Sequence, residues 1–386
     1  MEVPNDASCL DHGLVRADRP RDDGGLKHPN GRAGCDVVVD RESVRTLGHV
    51  PALDGLRGIA ILLVLAAHSN DFVPGGRLGV DLFFVLSGFL ITALLLQEWG
   101  RAGSVSLGAF YRRRVLRLFP ALYCMLLVYA IFVGVIAEQS GWERSVVYGG
   151  LYVYNIAHGW LGYQGVGIDH LWTLAAEEQF YLVWPPLLIL ALRRDVSPRT
   201  LIATLLVLAA AIAAWRGLLV HSVHSGPRMV APDVRADPLL LGCLAGLVYG
   251  FGLVRRVPLG VASGFVVLAA VLVVSVREPA VSYNTLVIPL FCASLAVVVY
   301  ACAVHRSWWF ARLVSREPLR WFGKISYGLY IWHFPLFALV GWQLGVPLSI
   351  AVAAISYRYV ERPFLRRRHT RRERGAGVSR PAPVSA

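Results

Sequence analysis

The stretch LDGLRGIAILLVLAAHS, residues 53–69, decides the fold class of this chain. Every residue between Arg57 and His68 is apolar or glycine, which is typical of a helix that crosses a lipid bilayer. The rest of the chain agrees, because 56% of its 386 residues are hydrophobic and 16% are charged. In soluble domains about a quarter of the residues are charged, so a soluble globular domain and a largely disordered chain are both excluded. The sequence therefore predicts an all-α integral membrane protein.

Further apolar runs have the length of a membrane span, roughly 17 to 25 residues. They predict a bundle of about ten transmembrane helices, at 56–70, 79–97, 118–137, 172–192, 200–220, 238–254, 258–276, 285–304, 325–342 and 346–360. Another run, 145–157, is short and contains glycine. If it crossed the membrane, Arg193, Arg194 and the basic cluster after Arg362 would lie on the side that basic residues avoid. A multi-pass protein of the cell membrane with both termini in the cytoplasm is predicted.

Composition divides the chain into a flexible cytoplasmic tail at 1–50, a transmembrane domain at 51–364 and a basic cytoplasmic tail at 365–386. The first tail has no apolar core after a basic start, so it does not read as a secretory signal. Basic residues on the cytoplasmic side account for the net charge of +13, and no nucleic-acid partner is predicted. Four of the six cysteines lie in apolar runs without paired spacing, which predicts neither disulfides nor a metal site.

Arg57 and His68 are ionisable residues of the first span, where such groups are costly unless they have a function. They are 11 residues apart, close to three helical turns, so they share a helix face with a separation of roughly 16 Å along the axis. Histidine suits a general base because its ordinary pKa lies near physiological pH. A snorkelling arginine with an interfacial histidine is an equally compatible alternative.

The second span adds Asp81 at its outer start, where the carboxylate could face His68 across the outer loop. Ser87 interrupts the same apolar run next to Gly88. Small residues allow close approach of helices, and a packing notch is the favoured explanation of Ser87 taken alone.

The third span begins with FYRRRVLRLFP, residues 110–120. Arg113 and Arg114 lie four and three residues before Arg117, so their side chains are neighbours on one helix face. Guanidinium groups placed in this way form a fork suited to phosphate oxygens. Anchoring of basic residues at the cytoplasmic surface is the alternative, and spacing alone favours it.

Glu177 and Glu178 open the next predicted span within a run of Leu, Phe, Tyr and Trp. Stabilisation of a helix amino terminus explains one of these carboxylates readily but not both. His333, two residues before Pro335, is compatible with a catalytic role and equally with a structural one in which it bonds backbone freed by the proline.

Six stretches in this order resemble the membrane acyltransferase-3 family: LDGLRGIAILLVLAAHS, GVDLFFVLSGFLIT, FYRRRVLRLFP, HLWTLAAEEQFYLVWP, ISYGLYIWHFPL and YRYVERPF. The family includes bacterial O-acyltransferases of surface polysaccharides and macrolides. The resemblance implies a ten-span enzyme that moves an acyl group from cytoplasmic acyl-CoA to an acceptor hydroxyl. Many relatives carry a soluble hydrolase-like domain after the last span. This chain continues for 22 residues after Phe364, so that domain is expected to be absent.

The resemblance also implies roles for individual residues. Arg57 and His68 match an Arg-x10-His pair that is functionally essential in the family. Arg114 and Arg117 match its Arg-x-x-Arg motif. Glu177 matches the glutamate of its Glu-x-x-Phe-Tyr motif.

The resulting hypothesis is acyl transfer with His68 as general base, its imidazole oriented by Glu177 or Asp81. The arginines of the third span would hold the phosphates of coenzyme A, and the pantetheine arm would carry the thioester to His68. An acyl-enzyme intermediate on Ser87 or His68 is compatible with the sequence but not required. The expected site residues are His68, Arg57, Glu177 and Asp81 for catalysis, and Arg114, Arg117, Arg113 and Ser87 for donor binding.

The expected partners are acyl-CoA as donor substrate, with acetyl-CoA the commonest form, a hydroxylated sugar or macrolide acceptor, and the lipid bilayer. A surface polysaccharide, a glycolipid, a peptidoglycan sugar and a macrolide all remain open as acceptors. No permanently bound cofactor is expected, and a homo-oligomer is compatible with the chain. A transporter or flippase of a lipid-linked or acylated compound is the main alternative, since intramembrane charges fit it equally well. A subunit that presents acyl groups to another enzyme is a third interpretation.

Overall fold

The computed structural model describes residues 44–70, 73–222, 226–275 and 282–364. These residues form α-helices and no strand, which confirms the all-α class. The helices are α1 (Pro51–His68), α2 (Leu78–Ala102), α3 (Leu107–Tyr129), α4 (Trp142–Gly150), α5 (Tyr154–Leu161), α6 (Trp172–Arg193), α7 (Pro198–Ser222), α8 (Asp237–Gly250), α9 (Leu259–Ser275), α10 (Ile288–Val304), α11 (Trp309–Val314) and α12 (Leu319–Ser356). π-Helical turns extend α3 over Ala130–Ile136 and α12 over Tyr357–Glu361, and another, Tyr283–Val287, precedes α10.

A helix or part of a helix lies at each of the ten predicted spans. Within the described residues, six helical segments are long and apolar enough to cross a membrane, and α8 and α9 are shorter apolar helices. The multi-pass membrane class is therefore confirmed, while the count of ten and the orientation of the termini stay predictions. The run 145–157 falls in the short helices α4 and α5.

The last two predicted spans form one helix that bends at Gly341. This glycine has φ 72° and ψ 165°, a conformation that residues with a side chain rarely adopt. The bend falls where the prediction places the boundary between 325–342 and 346–360. α12 therefore consists of two segments joined end to end.

Residues 44–50 belong to the predicted amino-terminal tail, and in the structure they pack against the helices. Leu47 donates its backbone N–H to Gln97 Oε1 at 2.8 Å and accepts a hydrogen bond from Arg306 Nη2 at 3.0 Å. Leu47 and Val50 are buried, because this short segment carries apolar residues that fit against the bundle. The packed unit thus begins before residue 51, and the predictions for 1–43 and 365–386 lie outside the described residues.

The centre of the fold is α1, which packs between α2 and α12, while α2 packs along α8. Glycines bring these backbones unusually close. A methyl group built on Gly323 would lie 1.8 Å from the carbonyl oxygen of Asp54, and one built on Gly88 would lie 2.1 Å from that of Leu239. Gly88 therefore serves as a packing notch, in agreement with the interpretation favoured for that part of α2.

Gly323→Ala is expected to destabilise the protein by about 1 to 3 kcal/mol, because the added methyl group would force α1 and α12 apart. The thermal unfolding midpoint of the detergent-solubilised protein measures this effect. Gly264→Ala in α9 is the matched control, since no atom lies within 4 Å of the added methyl group. An equal midpoint for the two variants would contradict the close contact.

Candidate active site

A first cavity lies between α1, α2, α3, α6 and α12, and we call it the arginine cavity. Its polar and charged lining residues are Arg57, Ser87, Glu98, Arg113, Arg114, Arg117, Tyr152, Thr173, Glu177, Glu178, Tyr181, Ser326, Tyr327 and Tyr330. Six of the eight predicted site residues are therefore brought together here from helices that are distant in sequence. His68 and Asp81 are not among them.

Two arginines of this cavity are neutralised by carboxylates. Arg114 Nη2 donates to Glu178 Oε1 at 2.6 Å, and its guanidinium carbon lies 3.4 Å from the centroid of the Tyr181 ring. Arg113 Nη2 donates to Glu98 Oε2 at 3.2 Å. These contacts hold both guanidinium groups in place, so neither is the cation most available to a ligand.

Arg57 and Arg117 differ from this pair, because neither has an ion pair or hydrogen bond with any described side chain. Both arginines line the same cavity, so their positive charges face a common space. Two like charges held together without a carboxylate partner favour the binding of an anion between them. Arg57, predicted as a catalytic residue, thus lies with the expected donor-binding arginine rather than in the cavity of His68.

Glu177 and Ser87 contact each other on facing helices of the arginine cavity. The Ser87 hydroxyl and the Tyr181 hydroxyl both donate to Glu177 Oε1, the latter at 2.6 Å. These contacts tie α2 to α6 at the wall of the arginine cavity.

A second cavity, the histidine cavity, lies at the carboxyl end of α1. Its polar and charged lining residues are His68, Arg77, His158, Asp169, His170, Arg235, Tyr283, Asn284 and Tyr330. His68 Nδ1 lies 2.9 Å from the carbonyl oxygen of Val64, one turn earlier in α1. A carbonyl oxygen only accepts hydrogen bonds, so Nδ1 carries the proton and the imidazole lone pair lies on Nε2. This tautomer is the one a general base at Nε2 requires.

His170 and His333 lie beside His68 and form a cluster of three imidazoles. The ring centroids of His68 and His333 are 5.1 Å apart, and those of His170 and His333 are 5.2 Å apart. His333 is buried and donates from Nδ1 to the carbonyl oxygen of Tyr330 at 2.6 Å. This bond joins His333 to its own helix, but the carbonyl that Pro335 leaves without a helical donor is that of Ile331, so the bond considered from the sequence is not the one formed. Among the described residues, no group of His, Cys, Asp or Glu has the arrangement of a metal site.

The contacts of Asp81 and Glu177 do not support their expected role of orienting His68. Asp81 is fully buried, and its Oδ1 accepts a hydrogen bond from Arg235 Nη2 at 2.7 Å. Glu177 lines the other cavity and accepts from Ser87 and Tyr181. The rotation of α2 and α6 about their axes decides these contacts, and spacing along the sequence does not report it.

Sequence reasoning missed His170, Glu178 as the partner of Arg114, and Arg235 as the partner of Asp81. His170 is buried, and neither of its ring nitrogens has a hydrogen-bond partner among the described residues. The sequence offered one indication of His170, which is its position directly before the predicted span 172–192. An imidazole that becomes buried there without a partner is costly.

The acyltransferase-3 profile, described as an acyltransferase domain, matches residues 50–356. The chain belongs to this family. It is 33% identical over 350 residues to the peptidoglycan O-acetyltransferase OatA of Listeria monocytogenes and 33% identical over 354 residues to the O-acetyltransferase OatA of Staphylococcus aureus. It is 31% identical over 350 residues to the putative peptidoglycan O-acetyltransferase YrhL of Bacillus subtilis.

Each of these alignments covers 82% of the chain but only 55% to 57% of the relative. The chain therefore spans little more than half the length of these curated relatives. No solved structure matches it. The membership agrees with the resemblance that the six sequence stretches indicated.

In this acyltransferase-3 protein, the segment 226–235 borders the histidine cavity and is fastened by Asp233. The two carboxylate oxygens of Asp233 accept hydrogen bonds from Arg228 Nη1 and Nη2 at 2.6 and 2.5 Å. They also accept from Trp160 Nε1 at 3.2 Å and Trp215 Nε1 at 2.9 Å. Partial burial acts to raise the pKa of Asp233, but these hydrogen bonds outweigh it and lower the pKa to about 2.

Because the pKa of Asp233 is lowered in the folded protein, the stability that this carboxylate contributes decreases at low pH. It is fully present above the unfolded carboxyl pKa of about 3.9 and is lost as the pH falls through the folded value of about 2. We expect the tryptophan fluorescence of the protein to change in this window, because Trp160 and Trp215 lose their partner. The same titration of Asp233→Asn is the control, and an identical pH dependence in that variant would contradict the assignment.

Proposed function

We propose that this protein transfers an acetyl group from acetyl-CoA to a hydroxyl of a cell-envelope polysaccharide, with peptidoglycan as the acceptor. The names of the relatives support the reaction and the acceptor. The observation that carries the mechanism is that two cavities share lining residues. One holds arginines without carboxylate partners and the other holds His68, and both are lined by Val80 and Tyr330.

The donor binds in the arginine cavity through its phosphate groups. Arg57 and Arg117 are the available cations, and a phosphate between them relieves their mutual repulsion. Guanidinium groups present paired N–H donors that match phosphate oxygens. Arg114 and Arg113, which are held by Glu178 and Glu98, shape the wall of the cavity. The narrow pantetheine arm then extends along the bundle toward Val80 and Tyr330.

The acceptor enters the histidine cavity, where His68 is the general base. His68 Nε2 removes the proton of the acceptor hydroxyl as its oxygen attacks the thioester carbonyl carbon. The tetrahedral intermediate collapses with cleavage of the carbon–sulfur bond, and the imidazolium returns the proton to the leaving thiolate. The products are an acetyl ester and coenzyme A. General base catalysis of this kind contributes roughly 10²- to 10⁴-fold to the rate.

The arginine cavity faces the cytoplasm in this mechanism, and the histidine cavity faces the outside of the cell membrane. Arg113, Arg114 and Arg117 line the arginine cavity, and the positive-inside tendency favours the cytoplasm for a basic cluster of this kind. This orientation matches the supply of the two substrates, because coenzyme A is intracellular and the polysaccharide is not.

The decisive experiment incubates membranes that contain the protein with labelled acetyl-CoA and peptidoglycan, followed by mass spectrometry of the muropeptides. An enzyme consumes acetyl-CoA and leaves an O-acetyl ester on the sugar. A transporter or flippase would move its cargo without forming an ester. Hydrolysis of acetyl-CoA without acylation of any acceptor would identify the protein as an acyl-presenting subunit.

Arg117→Ala is expected to raise the KM for acetyl-CoA by roughly 10- to 100-fold, because a charge-assisted hydrogen bond contributes about 1.5 to 3 kcal/mol. The kcat at saturating donor should change much less. Arg112→Ala is the matched control, since this exposed neighbour on α3 does not line the arginine cavity. Equal KM values for both variants would support membrane anchoring as the role of the α3 arginines.

A further inference from the structure

The boundary between the two cavities has one polar side chain. Val80 and Tyr330 are the described residues that line both the arginine cavity and the histidine cavity. The side chain of Val80 is apolar, so Tyr330 is the member of this pair whose side chain can form a hydrogen bond. A thioester that approaches from one cavity and a hydroxyl that approaches from the other must meet beside it.

The Tyr330 hydroxyl belongs to a small hydrogen-bond network that allows it to donate a hydrogen bond to a ligand. It lies 2.5 Å from Thr173 Oγ1 and 2.9 Å from the carbonyl oxygen of His170. Thr173 Oγ1 also lies 3.1 Å from that same carbonyl. Since a carbonyl oxygen only accepts, either hydroxyl can donate to it. When Thr173 takes over this bond, Tyr330 is able to donate to a third acceptor without leaving the carbonyl unpaired.

The Tyr330 ring is held by its neighbours, so the position of its hydroxyl oxygen is set before any ligand arrives. The ring contacts Phe83 with centroids 6.3 Å apart, His170 at 5.3 Å and His333 at 5.5 Å. The side chain is buried, with 7% of its surface exposed. A donor whose oxygen is held in position in a site of low dielectric stabilises developing negative charge better than one on a mobile side chain.

We propose that Tyr330 is a catalytic residue that donates a hydrogen bond to the thioester carbonyl oxygen during acetyl transfer. This inference rests on the proposed function. As the acceptor oxygen forms its bond to the carbonyl carbon, the electrons of the C=O double bond move to oxygen and create an oxyanion. Tyr330 stabilises this oxyanion while His68 holds the acceptor proton. Tyr330 keeps its own proton throughout, and the oxyanion re-forms the C=O bond when the carbon–sulfur bond breaks.

The first test compares Tyr330→Phe with the unaltered protein in the acetyl transfer assay. Loss of one oxyanion donor is expected to lower kcat by about 10²- to 10³-fold, while the KM for acetyl-CoA changes little. Tyr249→Phe is the matched control. Its hydroxyl donates to the carbonyl oxygen of Thr46 at 3.2 Å, it is buried like Tyr330, and it lines neither cavity.

The second test replaces Tyr330 with fluorinated tyrosines, which keep the ring and the hydroxyl and so remain informative if Tyr330→Phe fails to fold. At a pH where the phenol stays protonated, kcat is expected to follow its acidity, because a more acidic phenol is a stronger donor. The same series at Tyr249 should be flat. A flat series at Tyr330, or a folded Tyr330→Phe variant with normal kcat beside an inactive His68→Ala variant, would overturn this role and leave the proposed function standing. Absence of acetyl transfer by the unaltered protein would refute both.

Discussion

His68→Ala is expected to lower kcat for acetyl transfer by about 10²- to 10⁴-fold while the protein stays folded in the membrane. The imidazole donates from Nδ1 to the carbonyl oxygen of Val64, so Nε2 is the nitrogen that takes the acceptor proton in the proposed mechanism. Alanine removes the imidazole, and its high helix propensity is compatible with the end of α1. The initial rate of O-acetyl ester formation at saturating acetyl-CoA measures the effect, with size-exclusion chromatography of the solubilised protein as the check on folding.

The control for this variant is His221→Ala, which removes an exposed histidine of α7 that lines neither cavity. It should retain nearly full activity. The pH profile adds a second criterion, because a rate that depends on His68 as base falls as the imidazole becomes protonated. Near-normal activity of a folded His68→Ala protein would remove the proposed base and, with it, the assignment of the histidine cavity to the acceptor.

Asp237→Ala is expected to destabilise the protein by about 3 to 5 kcal/mol, because it leaves a buried cation without its counter-ion. Arg216 is fully buried, and it donates to the two carboxylate oxygens of Asp237 at 2.5 and 2.9 Å. The same guanidinium donates to the carbonyl oxygens of Val234 at 2.9 Å and Asn284 at 3.1 Å. It therefore joins α7, α8 and the π-helical turn before α10 at one point, next to the segment that borders the histidine cavity.

The thermal unfolding midpoint in detergent and the yield of folded protein are the measurements for Asp237→Ala. The double variant Arg216→Met with Asp237→Leu should recover much of the loss, since an apolar pair of similar volume carries no uncompensated charge. Glu317→Ala is the control, because that carboxylate is 52% exposed in its pairs with Arg320 and Lys324 and such pairs contribute little. Equal midpoints for Asp237→Ala and Glu317→Ala would contradict the structural importance of the buried pair.

The helical membrane class and a helix at each predicted span followed from the sequence because they depend on local properties. Residues 53–69 form α1 largely as predicted, and the boundary between the last two predicted spans falls at Gly341. The basic cluster of α3 and the pair Arg57 and His68 were found in the same way. A charge or an imidazole in an apolar run is costly wherever the helix is placed.

The tertiary structure alone decided which of these groups meet. Arg114 pairs with Glu178 rather than Glu177 across 64 residues, and Asp81 pairs with Arg235 across 154 residues. Arg57 lies with Arg117 in one cavity, while His68 lies with His170 and His333 at another. These contacts depend on the rotation of each helix about its axis and on close passages such as Gly323 against Asp54. Spacing along one helix reports which residues share a face, but it does not report which helix that face meets.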